Sequence, residues 1–242
     1  MTPLVGIDGC RGGWLAALGQ LRRGRVVVEG AAKCATLEGA LASVLEPGEP
    51  RGFAALDMPV GLPARAEPGG RACDRAARQQ LGKRKSSVFS CPVRGVLGAA
   101  DYPEALALQR ASSPHGLGLA KQSWFLVPKI REVDAWITPA RQEHVKEVHP
   151  ELAFATLTGA PMEDRKASFL GGLARLRALE KAGVPPRPED LALERDPEVA
   201  ADDILDAFAL LWVAGRLARG EAGPVGGHDE TDARGLAMSI WV

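Results

Sequence analysis

Residues 4–30 read LVGIDGCRGGWLAALGQLRRGRVVVEG, and this stretch decides the fold. It consists of three apolar runs that are separated by two glycine-containing turns. Short runs rich in Val, Ile, Leu and Trp, bounded by glycine turns, are typical of strands joined as hairpins. The stretch predicts an antiparallel meander of three strands, over 4–8, 14–21 and 25–30.

The segments that follow predict two further strands and several helices. Residues 52–58 are almost wholly apolar, which favours a strand buried on both faces of a sheet. Residues 145–148 predict a short fifth strand. Helical spacing of apolar residues occurs over 36–45, 166–182 and 201–219. We therefore expect an α/β protein, with a mixed five-stranded sheet flanked by helices in the order of the ribonuclease H-like fold.

The stretch between Leu62 and Thr138 differs in composition from the segments on either side. It is rich in Pro, Gly and Arg and shows helical periodicity, so we expect a helical insertion. A length of 242 residues fits one large domain that carries such an insertion. The prediction is a single ribonuclease H-like domain over 1–242, with the insertion at about 62–138.

Composition limits the class of protein and its compartment. The formal net charge is zero, which gives no overall attraction to nucleic acid or to a membrane. No apolar run approaches the roughly 20 residues that span a bilayer, so we expect no membrane partner. The four cysteines are widely spaced without a CxxC pair, and the chain enters its first strand without a signal peptide. These features predict a cytoplasmic protein with reduced thiols.

Acidic residues stand at four places where a strand or helix would bring a carboxylate to one shared point. Asp8 ends the first strand and Asp57 ends the fourth. Glu147 lies in the fifth strand. Asp203 and Asp206 share one face of the last helix, where Asp206 interrupts an apolar run. Carboxylates that meet need protons or cations, so the pattern predicts a site for Mg²⁺ or Mn²⁺.

The predicted site has the composition of a two-metal centre. Two ions about 4 Å apart would generate hydroxide from water and stabilise the leaving oxygen of a phosphodiester. Lys166 is a candidate for neutralising phosphate charge, with an ordinary surface lysine as the alternative. Turn capping is the alternative for Asp8 and Asp57, and solvent exposure for Glu147. The candidate catalytic residues are Asp8, Asp57, Glu147, Lys166, Asp203 and Asp206.

A basic segment is the candidate substrate-binding surface. Between Arg71 and Arg94 there are seven Lys or Arg residues against the single acid Asp74, an excess of six charges. A run of this kind is suited to phosphate contacts, and a solvated helical face is its alternative. The candidate substrate-binding residues are Arg75, Arg78, Lys83, Arg84 and Lys85.

Seven sequence blocks together resemble one protein family. They are GIDGCRGGW, DMPVGLP, CDRAARQQLG, SSVF, PKIREVD, EVHPELAF and DDILDAFALLW, in that order, from about Val5 to Trp212. The family is called domain of unknown function 429, and its members are described as predicted nucleases of the ribonuclease H fold. The resemblance implies that fold for most of the chain, and it implies nuclease chemistry by analogy of fold.

The last block is also similar to the carboxyl-terminal helix of Holliday-junction resolvases, whose acids bind metal. This likeness implies that Asp203 and Asp206 are metal ligands beside Asp8 and Asp57. The chain departs from resolvases in having an Asp followed by Pro at the second site, where resolvases carry a Glu. The insertion has no counterpart there, so the resolvase substrate need not transfer.

Three classes of function remain open. The first is a metal-dependent nuclease that acts on DNA or RNA. The second is a nucleotide-dependent phosphotransferase or ATPase of the actin-like superfold, with Gly9 to Gly13 cradling phosphates, although such folds need a second related domain. The third is a catalytically inactive nucleic-acid-binding protein. The SIWV segment at 239–242 would pair at a sheet edge, which leaves a homo-oligomer open.

Overall fold

A computed structural model describes residues 1–46, 49–226 and 230–242. Contacts divide the chain into two compact units. The first unit contains Met1–Asp57, Glu143–Gly223 and Trp241–Val242, and the second contains Met58–Gln142 and Pro224–Ile240. The second unit thus includes the segment predicted as an insertion.

Most strands lie within the first 56 residues of the chain, and most helices follow them. The strands are β1 (Thr2–Cys10), β2 (Gly13–Arg22), β3 (Arg25–Cys34), β4 (Leu45–Glu46), β5 (Glu49–Pro50), β6 (Phe53–Leu56) and β7 (Val145–Glu147). The helices are α1 (Leu37–Leu41), α2 (Ala72–Leu81), α3 (Tyr102–Ser112), α4 (Lys121–Trp136), α5 (Pro139–Gln142), α6 (Pro150–Thr158), α7 (Phe169–Ala182), α8 (Pro188–Leu191) and α9 (Ala201–Ala218). Short 3₁₀ helices cover Gly82–Ser87, Arg94–Gly98 and Ala192–Arg195.

The main sheet over the described residues has five strands, in the order β3-β2-β1-β6-β7. The first three strands pair antiparallel, and β1, β6 and β7 pair parallel. The β2–β3 turn contains Arg23 and Gly24, which adopt φ values of +50° and +79°. Positive φ is favourable for glycine, so this turn can follow the twist of the two strands. The mixed five-stranded sheet flanked by helices, predicted above, is confirmed.

Helix α9 packs against the centre of the sheet at very close range. A Cβ atom placed on Gly6 of β1 would collide with the backbone of Leu211 and Ala207 in α9. Only glycine permits this approach of strand and helix backbones. Because alternate residues of a strand share one face, Gly6 and Asp8 both face α9. The contact therefore brings the first turns of α9 over the end of β1.

Two helices begin or end differently from the prediction. The periodic segment 166–182 is helical only from Phe169, because Ser168 caps α7 by accepting a hydrogen bond from the Gly171 N–H. Lys166 consequently lies in the loop before α7. The segment 36–45 forms the short helix α1 alone, which ends at Leu41.

The second unit is held together by buried and half-buried ion pairs. Arg71 and Asp74 are both almost fully buried, and the Arg71 guanidinium also donates to the carbonyls of Val60 and Gly61. Asp232 accepts hydrogen bonds from the Leu62 N–H and from Arg94. These contacts explain why residues 224–240, distant in sequence, belong to this unit.

The chain end contacts the sheet edge of the first unit. The Trp241 N–H donates a 2.8 Å hydrogen bond to the Glu147 carbonyl in β7. The Lys146 ammonium lies 4.6 Å from the centre of the Trp241 ring. Within the described ranges, none of the helices has the length and apolar character needed to cross a membrane.

Candidate functional site

Asp8 and Asp57 are neighbours at the end of two parallel strands. Ile7 and Leu56 form the last residue pair between β1 and β6, and Asp8 and Asp57 follow them directly. The Asp57 N–H donates to the Ile7 carbonyl, which extends the pairing by one residue. The two side chains therefore leave the sheet on the same face, the one that α9 covers.

Asp206 joins this pair from α9 and brings a lysine with it. Asp206 is only 2 % exposed, although it lies in a largely apolar helix. Its Oδ2 atom accepts a 2.8 Å hydrogen bond from the Lys166 Nζ atom. The same ammonium lies 2.9 Å from Asp202 Oδ2, one helical turn before Asp206. Lys166 therefore bridges two acids of α9.

Asp203 has a structural partner as well as a place near the cluster. Its Oδ2 atom accepts a 3.0 Å hydrogen bond from the Ala200 N–H, which caps the first turn of α9. Burial raises the pKa of Asp203, the hydrogen bond from Ala200 opposes this, and the charge of Asp202 raises it further. Its electrostatic effect also reaches Asp8. Asp203 therefore contributes charge to the cluster and also caps the first turn of α9.

Burial and mutual repulsion disfavour the charged forms of Asp8 and Asp57. Burial raises the pKa of Asp8 well above its ordinary value, and the charges of Asp57 and Asp206 raise it further. Burial also raises the pKa of Asp57, although the charges of His149 and Lys166 and a hydrogen bond from the Asp8 carboxyl oppose the rise. The charged forms of these two neighbouring carboxyl groups are therefore both unfavourable.

Asp206 shows the same behaviour despite its ion pair. Burial raises its pKa to about 6, although the charge of Lys166 and its hydrogen bond lower it. The charge of Asp57 raises the pKa further. The Lys166 pKa is raised in turn, because the acids outweigh the effect of its partial burial. Three buried carboxyl groups thus share one ammonium, which leaves the cluster short of positive charge.

Glu147 lies on the other face of the sheet. It is in register with Leu56 of β6, whereas Asp57 is the next residue along that strand. Since side chains alternate between the two faces, the Glu147 side chain leaves the sheet on the face opposite to Asp57. The structure therefore does not bring Glu147 to the acidic cluster, and Val148 takes the position on the α9 face.

We define the acidic cluster as Asp8, Asp57, Asp202, Asp203 and Asp206, with Lys166 at its rim. Its donor atoms are carboxylate oxygens, which suit Mg²⁺ or Mn²⁺. Over the described ranges, however, no three His, Cys, Asp or Glu side chains are placed closely enough to hold a metal ion. The donor chemistry of Asp8, Asp57 and Asp206 fits a divalent cation, and the Lys166 ammonium occupies the charge-balancing position in this arrangement.

Two cavities adjoin the acidic cluster within the first unit. One has a volume of about 420 Å³, and its walls include Lys166, Asp202 and the apolar side chains of Leu173 and Leu205. The other has a volume of about 410 Å³ and lies against the β1–β2 turn, α9 and Asp203. Both volumes fall in the range of small-molecule sites.

The β1–β2 turn is not an open phosphate cradle. A Cβ atom on Gly12 would lie 2.5 Å from the Glu198 carboxylate, so this acid packs directly against the turn. The Arg11 N–H donates to the Glu198 carbonyl, and Lys33 forms an ion pair with the Glu198 carboxylate. A carboxylate in this position repels a phosphate that approaches the turn.

Two residues of the predicted substrate-binding segment are engaged within the second unit. The Arg75 guanidinium donates to the Gly70 carbonyl. The Arg78 guanidinium uses three nitrogens, which donate to the carbonyls of Gly69 and Val88 and to the hydroxyl of Ser90. These bonds tie the flanking loops to α2. Arg75 and Arg78 therefore stabilise the fold locally, Arg78 with all three guanidinium nitrogens and the exposed Arg75 with one.

The other three residues of that segment lie in or beside the 3₁₀ turn Gly82–Ser87. Lys83 and Lys85 are exposed, and Arg84 is half-buried. The exposed lysines at this turn are accessible to an anionic partner. Their role in substrate binding stays a prediction.

Asp202 is a contributor to the cluster that the sequence analysis did not include, since it shares Lys166 with Asp206. The signal was their spacing of four residues, which places both on one face of a helix. His149 also acts on the cluster, because its charge lowers the pKa of Asp57.

Comparisons with known proteins identify a family. Searches of curated proteins and of solved structures gave no match. A family model described as "Protein of unknown function (DUF429)" matches residues 6–231. This match includes the acidic cluster and nearly all of both units. The chain belongs to the DUF429 family of proteins of unknown function.

Proposed function

We propose that this protein is a cytoplasmic, metal-dependent nuclease with a ribonuclease H-like fold. The observation that carries the proposal is the convergence of Asp8, Asp57 and Asp206 on one face of the sheet, with insufficient positive charge. The strand order β3-β2-β1-β6-β7, with three antiparallel strands followed by two parallel ones, supports the fold assignment. All four cysteines are free, which agrees with a reducing compartment.

Asp8, Asp57 and Asp206 would hold Mg²⁺ or Mn²⁺ through carboxylate oxygens. A bound divalent cation supplies a Lewis acid for the phosphate and lowers the pKa of a water molecule. The carboxylates would orient the cation with respect to the sheet, because β1, β6 and α9 fix their backbones. Burial by α9 keeps bulk water from their inner faces, which strengthens electrostatic interactions at the site.

Nucleic acid is the proposed partner, and the exposed Lys83 and Lys85 are the proposed phosphate contacts. The phosphotransferase alternative has less support, because the Glu198 carboxylate packs against the turn that would cradle nucleotide phosphates.

The test is cleavage of labelled single- and double-stranded DNA and RNA with Mg²⁺, with Mn²⁺ and with EDTA. We expect cleavage that depends on the cation and falls at least about a hundredfold in Asp206→Asn. Glu163 is exposed and lies in the loop of Lys166, so Glu163→Gln is the matched control and should cleave normally. Equal cleavage by Asp206→Asn and the wild type would refute the assignment, as would cleavage that persists in EDTA. Binding of nucleic acid by the wild type and both variants, without cleavage by any of them, would favour the inactive nucleic-acid-binding alternative.

A further inference from the structure

Lys166 holds an unusual position for a surface lysine. Its Nζ atom lies 2.8 Å from Asp206 Oδ2 and 2.9 Å from Asp202 Oδ2. The Asp206 side chain is only 3 % exposed, whereas that of Lys166 is 40 % exposed. The ammonium therefore covers, from the solvent side, a carboxylate that is otherwise enclosed by protein.

The ammonium and a divalent cation compete for the same oxygen. A cation on Asp206 Oδ2 would lie about 2 Å from that atom, and so within about 5 Å of Nζ. Two positive charges at that distance repel strongly in a partly buried site. Metal binding at Asp206 Oδ2 therefore requires the Lys166 head group to move.

The surroundings allow this movement. Lys166 lies in the loop before α7, and its four-carbon side chain is flexible. It also lines the cavity of about 420 Å³ beside α9. The head group can therefore leave Asp206 and stay near the acidic cluster, where an anion would bind it.

We propose that Lys166 is an internal counter-ion of the acidic cluster that a substrate phosphate draws away from Asp206, so that the phosphate and a divalent cation bind cooperatively. The proposal rests on the nuclease function proposed above, because it assumes a cation at Asp206. Lys166 acts here as a positioning residue. Reciprocity requires that the cation raise the affinity for phosphate by the same factor.

The test is Mn²⁺ binding, measured by calorimetry and by the electron paramagnetic resonance signal of free Mn²⁺ at about pH 8, where lysine is charged. We expect Lys166→Met to bind Mn²⁺ at least about tenfold more tightly than the wild type. Lys166→Arg keeps the charge and should bind like the wild type. Arg165→Met removes one exposed neighbouring charge and is the matched control, which should also bind like the wild type. Circular dichroism checks that each variant folds.

A short single-stranded phosphorothioate oligonucleotide tests the coupling. It should raise the Mn²⁺ affinity of the wild type about fivefold or more and leave that of Lys166→Met unchanged. Equal Mn²⁺ affinity of the wild type and Lys166→Met would overturn the counter-ion role while the metal site stands. If even Lys166→Met binds no Mn²⁺, both the metal site and the counter-ion role are wrong.

Discussion

Asp206→Asn should make the protein more stable at neutral pH and remove part of its pH dependence. Asp206 is 2 % exposed and lies beside other acids, so its charged form is unfavourable in the folded state. In the unfolded chain Asp206 ionises near its ordinary pKa of 3.8, whereas burial raises the pKa in the folded state to about 6. Between these values the folded protein holds a proton that the unfolded chain has lost.

The sign and size of the effect follow from this difference. Stability falls with pH wherever the folded state binds more protons than the unfolded state. The stability that comes from protonated Asp206 is therefore fully present below pH 3.8 and is lost as the pH rises through about 6. A difference of about 2 pKa units corresponds to about 3 kcal/mol. The pKa of about 6 already includes the effect of the ion pair with Lys166, so that pair is not subtracted again. We expect Asp206→Asn to be about 3 kcal/mol more stable near neutral pH, which corresponds to about 6–12 °C in Tm.

The assay is urea and thermal unfolding of the wild type and Asp206→Asn from about pH 4 to 7.5, with EDTA present. The four histidines are shared by both proteins, so the difference between the two curves isolates the cluster. The difference should grow between pH 4 and 6 and then level off. A constant difference over this range would refute the raised pKa, and a less stable Asp206→Asn near neutral pH would show that the ion pair with Lys166 outweighs the burial of charge.

Four other substitutions test packing within each unit and the exposed basic segment. Asp74→Ala removes the acid that balances the buried Arg71 guanidinium and should cost about 3–5 kcal/mol in urea unfolding, whereas an unchanged midpoint would show that the pair contributes nothing. Gly6→Val drives a side chain into the backbone of α9 and should cost about 3 kcal/mol or more, visible as a lower Tm and, under the proposed function, as loss of cleavage. Arg78→Met breaks three hydrogen bonds and should cost about 1–3 kcal/mol of stability, with little change in oligonucleotide affinity. Lys83→Met should lower oligonucleotide affinity and leave stability unchanged. Unfolding measures the stability of both variants, and fluorescence anisotropy measures their affinity.

The meander was predictable because its turns depend on local backbone conformation. Gly12 and Gly24 adopt φ values of +67° and +79°, which few other residues tolerate. The strands are longer than predicted, since β3 continues to Cys34 opposite Trp14 of β2. Pairing supplies hydrogen bonds beyond the end of an apolar run, and the run alone does not contain that information.

The contacts of individual side chains were not predictable, because they depend on long-range geometry. A basic segment shows charge in the sequence but not its partners, and the partners of Arg78 are carbonyls that two loops bring to α2. Glu147 shows the same limit at a finer scale. One residue of register decides which face it occupies, and alternation of polar and apolar residues is too short in β7 to fix it.

The sign of the pKa shift separates two kinds of buried acid in this chain. Asp190 and Asp232 have lowered pKa values, because hydrogen bonds from backbone N–H groups and arginines outweigh the effect of burial. Their charged forms are satisfied, so they stabilise the fold. Asp8, Asp57 and Asp206 have raised pKa values, since even Lys166 leaves their charged forms unfavourable. A fold gains nothing from such a group, and perturbed acids of this kind cluster at functional sites. The unfavourable electrostatics of the acidic cluster are therefore an argument for its function. A bound cation would stabilise the charged forms of the same carboxylates, which would then act as its ligands.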